Sequence, residues 1–353
     1  MKVHGIKLKE FSAFERVEIS FSPGLNVFIG ANATGKSHLM KLMYSMLKVM
    51  EPKLKRPSHV DKPLRLKEKL SAVFMPDKGE IGRLVRRARG RKKASIQLDL
   101  GDWTSHVDLT NFARLKFQWL GPQLPKRSIF IPSREALSMF DGFIAAYDAQ
   151  KLSFDETYYD LCVALSAKPL RGRRAEAIAS LLKPLEGLLG GTVVLEGGRF
   201  HVHAKDGLIE AHLLAEGFRK IAGLAHLIGN GSLMKNGFLF WDEPEANLNP
   251  KLVTRIANAL RTLAHGGVQV FIATHDYLLS HELSLAIEYQ TKPKAPTRFF
   301  AFHRRDSGPV SIQAGDTLAE LEDNPILEEF AAHYDREHAL FAGKVAEAEG
   351  GRQ

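Results

Sequence analysis

Apolar residues in this chain gather into short unbroken runs set between amphipathic stretches. That pattern belongs to strands buried on both faces of a sheet, alternating with helices. The clearest runs are residues 25–29 (LNVFI), 238–241 (FLFW) and 268–273 (VQVFIA). Residues 38–47 carry apolar positions at helical spacing, and a second helix opens near Gly217 and runs through Ile228. Strict alternation in residues 95–100 and 106–109, turning at Gly101 and Asp102, predicts a hairpin. Residues 192–196 and 199–203 predict another about Gly197 and Gly198. His201 and His203 share one of its faces; with no Cys or further His at ligand spacing, they read as solvent-facing. Residues 134–190 read as helical, with Pro169 and Gly172 separating two segments. No internal repeat and no long heptad arm is present, so the expectation is an α/β protein.

The first candidate chemistry lies between the run at 25–29 and the helix after it. Gly30, Ala31, Asn32, Ala33, Thr34, Gly35, Lys36 and Ser37 fit G-x-x-x-x-G-K-[ST], followed by His38. Strand, glycine loop and helix form the context this motif needs. Its glycines let backbone N–H groups turn toward phosphate oxygens, and the helix N-terminus adds positive potential. Lys36 would reach the β- and γ-phosphates of a nucleoside triphosphate, and the Ser37 hydroxyl would ligate Mg2+. The expected ligands are therefore ATP or GTP, with Mg2+.

Downstream, the run at 238–241 ends in Asp242 and Glu243, within DEPEANLNP. A strand emerging beside the phosphates can offer Asp242 to the metal shell and Glu243 to the attacking water. The run at 268–273 leads into Thr274, His275 and Asp276, where His275 can donate to the γ-phosphate. Glu216 and Gly217 open a further helix, a second anion-binding device. That helix cannot serve phosphates already held by Lys36 unless two copies of the chain meet head to tail.

The order of these elements resembles an ATP-binding-cassette (ABC) ATPase of the branch that includes RecF, SMC-type proteins and OLD-family nucleases. Within it, the chain is similar to compact AAA-labelled ATPases of bacterial anti-phage systems. The resemblance covers roughly residues 2–50 and 125–290, and residues 6–19 are similar to the hairpin that precedes the phosphate loop there. It implies a P-loop fold with a mixed central sheet flanked by helices, a β-hairpin N-terminal subdomain, an inserted basic lobe and a helical lobe. It also implies that Glu216 and Gly217 match the signature loop, Asp242 and Glu243 the Walker B pair, residues 246–249 the D-loop and His275 the switch histidine. Two departures stand out. The chain has AEGFRK where transporters have LSGGQ, and Ser133 stands where a metal-contacting Gln is usual.

Composition narrows the picture further. The single cysteine, Cys162, excludes an intrachain disulfide framework and reads as a core residue. No stretch nears the roughly twenty consecutive apolar residues that span a bilayer, and no secretory leader is evident. A cytoplasmic protein without a membrane partner is expected. The net charge of +9 is concentrated, since 15 Lys or Arg stand against four acids between Lys53 and Lys93. Such a segment suits either sequence-independent contact with a nucleic-acid backbone or, as a solvated loop, docking of an acidic partner; its one aromatic, Phe74, gives little for base stacking.

The expected organisation is an ATP-binding core of residues 1–50 and 191–310, a basic insertion with a hairpin at 51–125, a helical lobe at 126–190, and a C-terminal helical segment and tail at 311–353. Only about 80 residues follow His275, with no obvious nuclease triad. The expected function is an ATPase that dimerises, or forms a higher homo-oligomer, around ATP. It would serve as sensor or scaffold for a separate effector, a nuclease or toxin, in anti-phage defence. The alternative is a RecF- or SMC-like ATPase of DNA repair or maintenance.

Overall fold

The computed structural model describes residues 1–52, 62–87, 89–125, 128–176, 178–304 and 308–350. The chain opens with a hairpin, β1 (Gly5–Phe11) and β2 (Phe14–Ser20), then enters β3 (Leu25–Gly30) and α1 (Lys36–Met50). Next come α2 (Lys62–Phe74), β4 (Lys93–Asp99), β5 (Thr104–Thr110), β6 (Leu115–Trp119) and β7 (Ser128–Ile131). Four helices follow: α3 (Phe143–Asp148), α4 (Glu156–Leu165), α5 (Arg173–Glu176) and α6 (Ala179–Leu189). A small sheet is formed by β8 (Gly191–Glu196), β9 (Arg199–Ala204) and β10 (Gly207–Glu210). Then α7 (Glu216–Gly229), β11 (Phe238–Asp242), α8 (Pro250–His265), β12 (Gln269–Thr274) and α9 (Tyr277–Glu288) alternate. The chain ends in β13 (Thr297–Arg304), β14 (Val310–Gly315) and α10 (Pro325–Gly350).

The central sheet has the order β14-β13-β3-β12-β11-β7. All its strands run parallel except β14, which pairs antiparallel with β13. A five-stranded antiparallel sheet, β2-β1-β4-β5-β6, packs across α1 on one side. The helices α3, α4 and α6–α9 pack on the other. Both faces of the parallel strands are therefore covered, which is why their sequences are apolar without interruption.

Side chains on a strand alternate faces, and here alternation sorts the core by chemistry. Val27, Ile29, Ile129, Ile131, Leu239, Trp241, Val270 and Ile272 face the helices. Phe28, Phe130, Phe240, Phe271, Phe300 and Phe302 face α1 and the antiparallel sheet. Phe130 stacks on Phe240 at 6.3 Å between ring centroids, Phe240 on Phe271 at 4.9 Å, and Phe271 meets Phe28 at 6.2 Å. This aromatic row runs across four neighbouring strands and covers one face of the sheet. The buried Gln269 ties the N-terminus to the sheet, accepting from Val3 N–H at 2.8 Å and donating to the Val3 and Ser22 carbonyls at 2.7 and 2.8 Å.

Both expected hairpins form, as β4–β5 and β8–β9, and each gains a third strand, β6 and β10. The strands divide differently from the segments expected of the sequence. Lys7 and Lys9 of β1 lie opposite Gln97 and Ser95 of β4, so the hairpin at 95–109 extends the N-terminal sheet instead of forming a lobe of its own. β7 lies within the 126–190 segment assigned to the helical lobe, ahead of the stretch read as helical, and is an edge strand of the central sheet beside β11. β14 occupies residues read as a C-terminal helical segment. In each case the deciding partner lies far away in sequence, where local periodicity carries no signal. Among the described residues no helix is long and apolar enough to cross a membrane.

Truncating a ring in the aromatic row should be costly. Phe271→Ala is expected to destabilise the protein by about 3–5 kcal/mol, and Phe271→Leu by less, as read from urea or thermal unfolding.

Candidate nucleotide-binding site

The loop from Gly30 to Lys36 joins β3 to α1 at the carboxyl edge of the parallel sheet, where ligands of such sheets bind. Two of its glycines are demanded by geometry. A Cβ on Gly30 would lie 2.5 Å from the Phe302 carbonyl oxygen, and Gly35 has φ 91° directly before α1. Thr34 donates its hydroxyl to the Ala31 carbonyl at 2.8 Å and braces the turn. The Lys36 ammonium lies within the loop, donating to the carbonyls of Gly30 at 2.6 Å and Ala31 at 2.8 Å. Burial lowers its pKa, opposed by the charges of Asp242, Glu243 and Glu245.

Because β11 runs parallel to β3 with β12 between them, Asp242 emerges beside the loop. The Ser37 hydroxyl donates to Asp242 Oδ1 at 3.0 Å. Burial raises the Asp242 pKa; the bond from Ser37 and the nearby lysines oppose this, while Glu243 adds to it. A hydroxyl and a carboxylate side by side are the hard oxygen donors that suit Mg2+. Among the described residues no cluster of three or more His, Cys, Asp or Glu could hold a metal by itself. Phosphate oxygens and water would have to complete the shell, as is usual for Mg2+.

Glu243 follows in the left-handed region at φ 48°, its N–H bonded to the Ala273 carbonyl at 2.9 Å. Its Oε1 lies 3.4 Å from His275 Nδ1. The turn that carries His275 is held by a buried acid, Glu245, which accepts from the Thr274 hydroxyl at 2.7 Å and from the His275 N–H at 3.4 Å. Burial raises the Glu245 pKa as well. A run of carboxylates thus enters the carboxyl edge of the sheet at the cost of their hydration.

A cleft of about 620 Å³ gathers these groups. It is lined by Asn32, Ala33, Thr34, Gly35, Lys36, Ser37 and His38 together with Asp242 and Glu243. Burial holds the His38 imidazole below its usual pKa, with Lys41 adding to the effect, and its Nδ1 is bonded to the Ser12 hydroxyl. His275 adjoins the cleft through Glu243 without lining it. Ser133 is likewise not among the lining residues.

Glu216 and Gly217 lie elsewhere. Gly217 is buried under Leu248, whose Cδ2 would be 2.7 Å from an added Cβ, and Glu216 accepts from Asn247 Nδ2 at 2.8 Å. The start of α7 therefore grips the segment after β11 and not the cleft of its own chain. Lys220, buried one turn on, donates to the carbonyls of Ala246 at 2.8 Å and Glu243 at 3.3 Å.

Sequence reading missed one wall of the cleft. Arg83, Arg86, Arg87 and Arg304 line it with Ser12 and Ala13. The first three belong to the segment read as a lobe for DNA. They reach the cleft because residues 81–87 dock on the end of β1: Val85 bridges Phe11, Ser12 N–H donates to the Leu84 carbonyl at 2.7 Å, and Arg86 N–H to the Glu10 carbonyl at 2.9 Å. Lys53, Lys55 and Arg56 of the same segment lie outside the described residues.

A phosphate loop on β3, an acid pair on β11 and a histidine on the strand between them place this chain among the ABC-class P-loop ATPases of RecF and SMC type. Within that class it belongs to the family described as "AAA domain, putative AbiEii toxin, Type IV TA system", whose pattern matches residues 48–280, about two-thirds of the chain. A stretch of 44 residues is 41% identical to the DNA replication and repair protein RecF of Streptococcus agalactiae, covering 12% of each chain. A stretch of 50 residues is 42% identical to RecF of Listeria monocytogenes, covering 14% of each. The matches span about an eighth of the length of these relatives. The SMC head domain from Thermotoga maritima superposes with a TM-score of 0.50 at 15% identity, over 89% of this chain and 99% of that one. An SMC head bound to the C-terminal winged-helix domain of ScpA gives 0.52 at 14% identity, over 90% and 98%. At these identities the likeness to the solved structures is one of fold.

The raised Asp242 pKa has a defined sign. A carboxyl that ionises less readily in the folded chain than in the unfolded one lowers stability as pH rises from its ordinary range through the raised value. Asp242→Asn should therefore leave the ligand-free protein at least as stable at neutral pH. It should also abolish any rise in melting temperature produced by Mg2+ with nucleotide. Differential scanning fluorimetry with and without Mg2+ reads both effects.

Proposed function

We propose that this protein binds Mg2+ and ATP in the cleft between Lys36 and Asp242 and hydrolyses the nucleotide to ADP and phosphate. The observation that carries the reading is the Ser37–Asp242 hydrogen bond with Lys36 and Glu243 in the same cleft. The backbone N–H groups of the loop would cradle the phosphates, and Lys36 would leave its carbonyl partners for the γ-phosphate. Ser37 and Asp242 would hold the metal, which would supply charge neutralisation to the phosphates. Glu243 accepts a proton from the attacking water, while His275 orients Glu243 and the γ-phosphate. Asn32 and His38 bound the cleft on either side of the phosphates.

The chain acts in this reading as a head-to-tail homodimer. Glu216 and Gly217 open α7 beside the exposed Ala215 and Leu213, away from the cleft of their own chain. In a pair, that helix start faces the nucleotide held by the partner subunit. The closed dimer serves as sensor or scaffold for a separate effector, a nuclease or toxin, in anti-phage defence. The basic segment and the RecF-like stretches support a second reading, an ATPase of DNA repair or maintenance. Stimulation of turnover by plain DNA would favour the second; stimulation only by a co-purifying polypeptide would favour the first.

Glu243→Gln should slow ATP turnover by roughly 10²–10⁴-fold, the range for loss of a general base, and accumulate an ATP-dependent dimer on size-exclusion chromatography. Unchanged turnover would reject the role. Lys36→Ala should weaken ATP binding by roughly ten- to a hundredfold, as expected for lost charged hydrogen bonds, measured by calorimetry. Neither Lys36→Ala nor Glu216→Arg alone should hydrolyse ATP. An equal mixture of the two should regain part of the activity, because one composite site per mixed dimer is intact; no regain would reject the shared site.

A further inference from the structure

We propose that the turn between β5 and β6, with the strand entering β4, forms a stacking site for an unpaired base of single-stranded nucleic acid. Phe112 supplies the ring. This rests on the reading that the basic segment contacts nucleic acid and specifies which form it takes. In sequence that segment contains one aromatic, Phe74. In the fold, the Phe74 ring packs edge-on against Phe11 at 6.2 Å and His38 at 5.4 Å and is half-buried against the core. The fold returns a different ring: Phe112, 66% exposed at the tip of the β5–β6 turn.

The turn is stiff. Thr110 N–H donates to the Arg114 carbonyl, Ala113 N–H to the Thr110 carbonyl, and Arg114 N–H to the Thr110 hydroxyl at 3.1 Å. Asn111 fastens it to the basic strand, donating from its N–H to the Lys92 carbonyl at 3.1 Å and from Nδ2 to the Gly90 carbonyl at 2.9 Å. The Asn111 side chain also accepts from Lys92 N–H at 3.3 Å. Below, Gly82 abuts the Asn111 carbonyl so closely that an added Cβ would lie 2.4 Å from it. The ring is presented by a braced scaffold and loses little freedom on binding.

Cations surround it. The Arg91 guanidinium carbon lies 5.8 Å from the Phe112 centroid. Arg89, Arg91 and Arg114 are exposed, and none of these or Lys92 has a carboxylate partner among the described residues. The nearby Lys93 is paired with Asp108 at 3.2 Å. A partner must therefore bring a flat apolar face and negative charge together. A base flanked by its phosphates meets both needs at once, with stacking on the ring and neutralisation by the arginines. A paired base inside a duplex has both faces covered by its neighbours and cannot stack on a protein ring, which selects the single strand.

The test uses the full-length protein with a labelled oligothymidine and a labelled duplex, followed by fluorescence anisotropy over a range of salt. Phe112→Ala is expected to weaken oligothymidine binding by roughly tenfold or more. Its salt dependence should not change, and duplex binding should stay as in the wild type. Phe112→Trp should keep the affinity, and its indole emission should be quenched on binding. Arg89→Gln with Arg91→Gln and Lys92→Gln should flatten the salt dependence. Wild-type affinity of Phe112→Ala for oligothymidine, or an equal loss on duplex, would overturn the stacking site. If only the charge variant has an effect, backbone contact stands and stacking falls. If the wild type binds neither probe, both readings fall. An unchanged melting temperature confirms that Phe112→Ala, a surface change, is folded.

Discussion

A single side-chain contact, Ser37 to Asp242 across 205 residues of sequence, depends on most of the molecule. It forms only if β3 and β11 run parallel, leave the sheet at the same edge, and stay one strand apart. The strand between them, β12, is fixed by apolar packing on both faces, with Phe271 stacked on Phe240 and Val270 and Ile272 against the helices. Neither Ser37 nor Asp242 has any means of finding the other by local preference. The hydrophobic sheet places them, and it does so against the cost of dehydrating Asp242, which is seen in its raised pKa. Burial of a carboxylate without a full set of partners is a stability cost that proteins keep where binding or chemistry requires it.

Much of this was legible in the chain itself. The phosphate loop has a local signature because glycines must stand where a Cβ would strike Phe302 or where φ is 91°. The acid pair is legible because the apolar run at 238–241 leads into the full string DEPEANLNP; a lone pair of acids at a strand end would read as a solvated cap. Strands β3, β11 and β12 announce themselves by continuous apolar sequence. The residues that sequence reading misassigned share one physical cause. Arg83, Arg86 and Arg87 reach the cleft through the bridge between Phe11 and Val85, which joins a turn to the end of a strand more than seventy residues earlier. β7 has four residues, too few for periodicity to tell strand from helix. The exposed ring of Phe112 and the half-buried ring of Phe74 are likewise indistinguishable until the fold packs one of them against the core.

The segment from Ile81 to Arg87 now occupies a central place. One side of it lines the nucleotide cleft, and the other supports the turn that bears Phe112, through the contact of Gly82 with Asn111. The cleft and the basic surface are thus two faces of one short stretch of chain, braced on β1 by backbone hydrogen bonds. A polyanion on that surface and a triphosphate in the cleft would both act on it.

A second link runs from the acid pair into the helices. Lys220 of α7 is buried and donates to two carbonyls of the 243–246 turn, so movement of α7 displaces the backbone that carries Glu243. One residue earlier, Arg219 donates from Nε to Glu135 at 2.8 Å and from a guanidinium nitrogen to the Leu214 carbonyl at 2.7 Å. Glu135 in turn accepts from the N–H groups of Leu137 and Ser138, in the segment that leaves β7. A buried ion pair of this kind gains little net stability over apolar packing, since its Coulomb energy is offset by lost hydration. What it does supply is a fixed geometry, because removing either partner strands a charge. AEGFRK, which departs from the transporter signature in its last residues, places its Arg and Lys in these two anchors. Its departure is therefore structural in effect: the start of α7 is clamped to the turn that carries Glu243 of its own chain.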